Sequence, residues 1–178
     1  MKKLSTICYG IRVLGRYMNQ STLRIMYYAH FESVLKFGII FWGRHSLAQD
    51  VFVVQKRIIR IIRRMEYNET CRNVFRSLGV MTFWAVYIYE CLMFLFNNKK
   101  LFDLQLKNYG YSTRTLNVNY PIHRLTLTKK CPHYMCLRLF NALPNKIKEI
   151  VSQKLFRIEI KKILINLEPY TLLDFINA

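Results

Sequence analysis

The sequence predicts a mainly α-helical protein: a helical bundle over residues 1–100, an irregular basic linker over 101–133 and a C-terminal helical segment over 134–178. Three observations carry this. Apolar residues recur at three- and four-residue intervals along most of the chain, the period of a helix with one buried face. Hydrophobic residues make up 52% of the composition and aromatic residues 15%, well above what disordered chains carry. Between Asn108 and Pro132 the helical period is lost, and turn-forming and basic residues take over. With 178 residues the chain can bury a sizeable core, so one domain with a short appendage is the expected organisation.

From Lys3 to about Met18, the positions Leu4, Ile7, Cys8, Ile11 and Leu14 form the stripe of an amphipathic helix. Ser21 offers an N-cap to a second helix with Leu23, Met26, Tyr27, His30, Phe31, Val34 and Leu35 on one face, which places His30 in the core. Gly38 ends that helix or marks close packing. The block Phe37 to Gly43 is apolar and far too short to span a bilayer, so it reads as a buried connection.

A third helix opens at Ser46, with Gln49 placed to complete a capping box, and runs to about Arg64. At 100° per residue, Val51, Val54, Ile58, Ile61 and Ile62 share one arc, while Lys56, Arg60, Arg63 and Arg64 occupy the opposite one with Arg57 at its edge. A solvated face usually mixes signs, yet no acid lies between Asp50 and Glu66. The ridge therefore reads as a phosphate-contacting surface.

A short helix near Thr70 to Leu78 should end at Gly79, and Thr82 should cap the next. Residues 78–96 form the single candidate for a membrane span, since their length approaches the roughly 20 residues a bilayer requires. Glu90 in the middle and the boundary signals Gly79 and Thr82 favour a buried central helix instead. Helical spacing returns at Tyr134 to Ala142, is cut by Leu143-Pro144, and resumes from Ser152 to Asn166 with Leu155, Phe156, Ile160, Ile163 and Leu164. A short amphipathic turn near Leu172 to Ile176 closes the chain.

Lys and Arg number 28 against 10 Asp and Glu, a net charge of +18, so a polyanion is the expected partner. The five cysteines are odd in number, and Met1-Lys2-Lys3 leads into a polar-punctuated stretch and not an apolar signal sequence. An intracellular, reducing compartment, nuclear or cytoplasmic, is expected. Cys131 and Cys136, near His123 and His133, match no zinc spacing. Asp50, Asp103 and Asp174 are scattered singly, so the paired carboxylates of two-metal polymerases and nucleases are missing. Glycine loops for phosphates, a nucleophile elbow and a metalloprotease helix are missing too. The sequence shows no catalytic residues, no cofactor site and no small-molecule site.

The blocks Tyr27-Tyr28-Ala29-His30-Phe31, Phe37 to Gly43 and Val54-Gln55-Lys56-Arg57-Ile58-Ile59-Arg60-Ile61-Ile62 follow one another in a distinctive order. After them come Cys71, Phe75, Leu78-Gly79, Tyr87-Ile88-Tyr89-Glu90, Tyr109, Thr113-Arg114, His123-Arg124-Leu125, Pro132 and Phe140-Asn141-Ala142-Leu143-Pro144. This series resembles the C-terminal part of reverse transcriptases from non-LTR retrotransposons of the insect jockey-like kind. The resemblance implies a helical thumb followed by a connector, gripping template and primer by the backbone. It also implies a fragment of an RNA-directed DNA polymerase, because the family's endonuclease, fingers and palm, with the Tyr/Phe-x-Asp-Asp motif, have no counterpart here.

The function expected is sequence-tolerant binding of RNA, DNA or an RNA–DNA hybrid through Lys56, Arg57, Arg60, Arg63 and Arg64, with Arg114 and Arg124 assisting. Two alternatives compete with it. One is a degenerate fragment whose apolar faces once met the missing palm; the other is a membrane protein spanning at 78–96.

Overall fold

Thr82 opens the central helix of the protein by accepting a hydrogen bond from Ala85 N at 3.1 Å, the N-cap that its position after Gly79 predicts. The helix it starts, Phe83–Asn97, is apolar almost all round and buried almost all round. The computed structural model describes residues 2–102 and 131–178, together with Val118, Tyr120, Pro121 and Thr128. Among the described residues the fold is mainly α with no strand.

The elements in chain order are α1 (Lys2–Leu14), α2 (Gln20–Met26), a π-helical turn (Tyr27–Glu32), α3 (Ser33–Lys36), α4 (Ile39–Trp42), α5 (Ala48–Arg63), α6 (Val74–Leu78) and α7 (Phe83–Asn97). A short 3₁₀ turn (Lys99–Phe102) precedes the linker. Beyond it lie α8 (Pro132–Asn141), α9 (Asn145–Lys148), α10 (Gln153–Leu167) and α11 (Leu172–Ile176). Helices α3, α4, α5, α8 and α10 all pack on α7, so the segment from residue 134 shares its core with the helices before it. At 15 residues α7 is about 22 Å long. No helix among the described residues is long and apolar enough to cross a membrane.

Several local expectations are corrected. Asn19, not Ser21, caps α2: its Oδ1 accepts from Thr22 N at 2.9 Å, and Ser21 Oγ donates to that same oxygen. His30 is exposed, not buried. Four residues of an α-helix overshoot a full turn by about 40°, and the wider i→i+5 turn at Tyr27–Glu32 absorbs that excess. It keeps Leu23, Tyr27, Phe31 and Leu35 on one fully buried line and leaves His30 outside.

The capping box at Ser46 and Gln49 does not form. His45 Nδ1 accepts from Leu47 N at 3.2 Å and pairs with Ser46 Oγ at 3.3 Å, and Leu47 becomes the N-cap without a side-chain bond. The block Phe37 to Gly43 is only partly buried: Ile39 is inside, while Phe37 is 85% and Phe41 79% exposed. Gly38, at φ +63°, reverses the chain into a helix of four residues. From this short segment Ile39 and Gly43, four apart, face α7, and the half-buried Trp42 sets its ring 5.9 Å from that of Phe83. Gly43 lies so close to the Tyr87 ring and the Ile39 carbonyl that a Cβ there would overlap both. The short helix expected from Thr70 begins at Val74, after Asn73 at φ +65°. On α10, Leu155 is exposed, whereas Phe156, Ile160 and Leu164 are buried.

Long-range polar contacts lock these helices together. Arg24 Nη1 and Tyr28 Oη donate to the carbonyls of Leu78 and Gly79, satisfying the end of α6. Thr82 Oγ1 donates to Pro169 O at 2.6 Å, tying the start of α7 to the end of α10. Asn141 pairs its side-chain amide with both backbone groups of Val118 at 2.9 Å, so the linker rejoins the core at α8.

Candidate nucleic-acid interface

Helix α5 is held beside α1 through Leu4, Cys8 and Ile11 on one side and Val51, Val54 and Ile58 on the other, all buried. Gly15, just past α1, lets the two chains close up, since a Cβ there would stand 3.0 Å from Ile61 Cγ2. With Cys8 beside Val54 and Gly15 beside Ile61, the two helices run in the same direction. Their outer edges leave a groove made of two hollows. One, of about 140 Å³, is bordered by Ser5, Cys8, Tyr9 and Val54; the other, of about 180 Å³, by Arg60, Ile61, Arg64 and Tyr67. Arg12 and Arg57 border both, so the hollows are adjacent along the groove.

The cationic ridge expected on α5 divides into two sets. Lys56 is half-buried with its ammonium 4.8 Å over the Phe52 ring. Arg60 borders the groove but its Nε donates to Glu69 O at 2.8 Å, and Arg63 Nη2 donates to Ser77 Oγ at 2.5 Å. Lys56 thus folds back on its own helix, while Arg60 and Arg63 reach across to the segment before α6 and to α6 itself. Arg57 and Arg64 are exposed and turn instead toward α1, where Arg12 meets them. Arg64 adopts φ +56° at the C-cap, with its N–H on Ile61 O, and so leaves the straight line of the ridge. Arg114 and Arg124 lie outside the described residues.

The groove is uniformly positive. Among the described residues, no acid borders it, and no acid pairs with Arg12, Arg57, Arg60, Arg63 or Arg64. Of the acids nearest in sequence, Glu69 turns its carboxylate onto Glu66 N at 3.1 Å. At the groove floor burial pushes the Cys8 thiol up, while the charges of Arg12 and Arg57 pull it down. On the other side of α5, burial likewise raises the Cys71 thiol against Arg60 and Lys56. Guanidinium groups that border one groove without a described acid are set for anions.

Sequence reasoning missed Arg12, Tyr9 and Tyr67. A signal exists for the first two, because Ser5, Tyr9, Arg12 and Arg16 recur at helical spacing on the polar side of α1. What the sequence lacks is the pairing of that row with α5, which only tertiary packing supplies.

Among the described residues, no group of three His, Cys, Asp or Glu side chains is placed to hold a metal ion. Cys131 is exposed ahead of α8 and Cys136 is buried within it against Cys91, while His133 stacks on Phe102 at 4.5 Å. The arrangement can bind anions and position them. Comparison with family models, with curated proteins and with solved structures finds no match to this chain.

Proposed function

We propose that this chain binds nucleic acid without regard to sequence, through the groove between α1 and α5, and that it is the thumb-like C-terminal part of a non-LTR retrotransposon reverse transcriptase. One observation carries the binding claim: Arg12, Arg57 and Arg64 converge from two elements on one groove that no described acid borders. Phosphates set apart along a backbone are the anion that such a row accommodates, and phosphate contacts position nucleic acid without reading its bases. The ordered blocks from Tyr27 to Pro144 support the family reading.

The test is a titration of a fluorescent RNA–DNA hybrid at several salt concentrations. Binding through phosphates gives an affinity that falls linearly on logarithmic axes, with a slope of about −0.9 per phosphate neutralised. Absent or salt-insensitive binding rejects the claim.

The second reading, a degenerate fragment with its apolar faces uncovered, rests on Phe37, just before α4, and Phe41, on it, each largely exposed. Strong binding of a hydrophobic dye by the folded chain, with no affinity for any nucleic acid, would favour it.

A further inference from the structure

The groove assigned above to phosphates is also lined by aromatic side chains. Tyr9 is 67% exposed and Tyr67 68% exposed. Because α1 and α5 run the same way, Tyr9 stands at the Val54 end of the groove, and Tyr67, beyond the end of α5, stands at the other. Arg12 and Arg57 lie between them, bordering both hollows. An exposed tyrosine at each end of a strip of arginines presents faces for flat rings and cations for what links those rings.

A duplex offers such a surface only phosphates, because its bases are stacked inside. A single strand offers both, and base stacking on tyrosine adds to backbone contacts whatever the base. A groove between two helices follows a thin strand along its length, whereas a flat anionic bilayer has no ring faces to stack on Tyr9 and Tyr67.

We propose that the groove is a single-strand site, with phosphates on Arg12, Arg57 and Arg64 and bases stacked on Tyr9 and Tyr67. This rests on the nucleic-acid reading above and narrows it.

The experiment uses the full chain and a labelled oligonucleotide of roughly 12 nucleotides without self-complementarity, both single-stranded and annealed to its complement. Three double variants are compared with the wild type: Tyr9→Leu with Tyr67→Leu, Tyr9→Phe with Tyr67→Phe, and Arg57→Gln with Arg64→Gln. Circular dichroism confirms that each folds. The single strand should bind more tightly than the duplex. The leucine variant should lose about tenfold or more for the single strand and keep its duplex affinity, the phenylalanine variant should keep both, and the arginine variant should weaken both. Equal binding of strand and duplex, unmoved by the leucine changes, overturns the stacking site and leaves general nucleic-acid binding standing. Failure to bind any oligonucleotide overturns both. Binding to phosphatidylserine vesicles without binding to oligonucleotides assigns the groove to a membrane surface and overturns the inference as well.

Discussion

Gln55 sits on α5 in the middle of a basic stretch, yet it is fully buried. Its Nε2 donates to Tyr27 Oη at 2.7 Å and to Met81 O at 3.0 Å, joining α5 to the π-helical turn and to the approach of α7. Burial drives the Tyr27 hydroxyl far up, Glu32 adds to that, and the bond from Gln55 opposes it. Gln55→Ala leaves both acceptors without a donor in a dry site, and chemical denaturation should show a loss of about 2–4 kcal/mol. An unchanged midpoint would mean that water replaces the amide. Glu90 makes a prediction in pH. It lies 3.8 Å from Lys36 Nζ, which is itself 2.8 Å from Glu32. Burial raises the Glu90 carboxyl above its ordinary 4.5, and Lys36 only partly offsets this. The folded state therefore holds the proton more tightly than the unfolded one. Stability should rise as pH falls through the raised value toward 4.5. Thermal midpoints of wild type and Glu90→Gln should differ at pH 7, with the variant ahead, and converge near pH 4.5; a constant gap would refute the burial argument.

Helix boundaries show how local signals compete. Thr82 is legible in sequence as a cap because Gly79 and an apolar run bracket it, and the capping box of Thr171 with Asp174 opens α11 within the stretch that periodicity marks. Ser21 and Ser46 look equally good and lose: Asn19 caps α2 instead, while His45 takes the Leu47 N–H and α5 starts without a side-chain cap, outcomes that no spacing rule ranks. The π turn is invisible to a 3.6-residue period, so His30 is assigned to the wrong side of its helix. Thr82→Ala removes the cap of α7 and the donor to Pro169 O together, and should destabilise by roughly 2–3 kcal/mol, with Thr82→Ser recovering most of it. Loss without recovery in the serine variant would point to the methyl group rather than the hydroxyl. Gly43→Ala drives a methyl into the Tyr87 ring and should cost about 1–3 kcal/mol in thermal or denaturant unfolding, whereas an unaffected protein would show that α4 can shift aside.

For the whole molecule, the mainly α class and the buried central helix follow from composition and period, because burial on all sides leaves a nearly continuous apolar run such as Phe83 to Ile88. The groove does not follow. Its arginines sit 45 residues apart in the chain, at Arg12 and Arg57, and only the close approach at Gly15 brings them together. Sequence periodicity identifies α5 as cationic but not which cations are already engaged. Lys56, Arg60 and Arg63 have partners within the fold, and Arg57 and Arg64 face the groove. A net charge of +18 attracts any polyanion to some extent, so the claim at stake is about position. Two triple variants with the same charge decide it: Arg12, Arg57 and Arg64 to Gln in the groove, and Lys154, Lys161 and Lys162 to Gln on the exposed side of α10. Measured against an RNA–DNA hybrid across salt, the groove variant should lose tenfold or more in affinity and flatten the salt slope by roughly 2 to 3, while the α10 variant stays near wild type. Equal losses in the two variants would contradict a groove-specific site and leave only the attraction of overall charge.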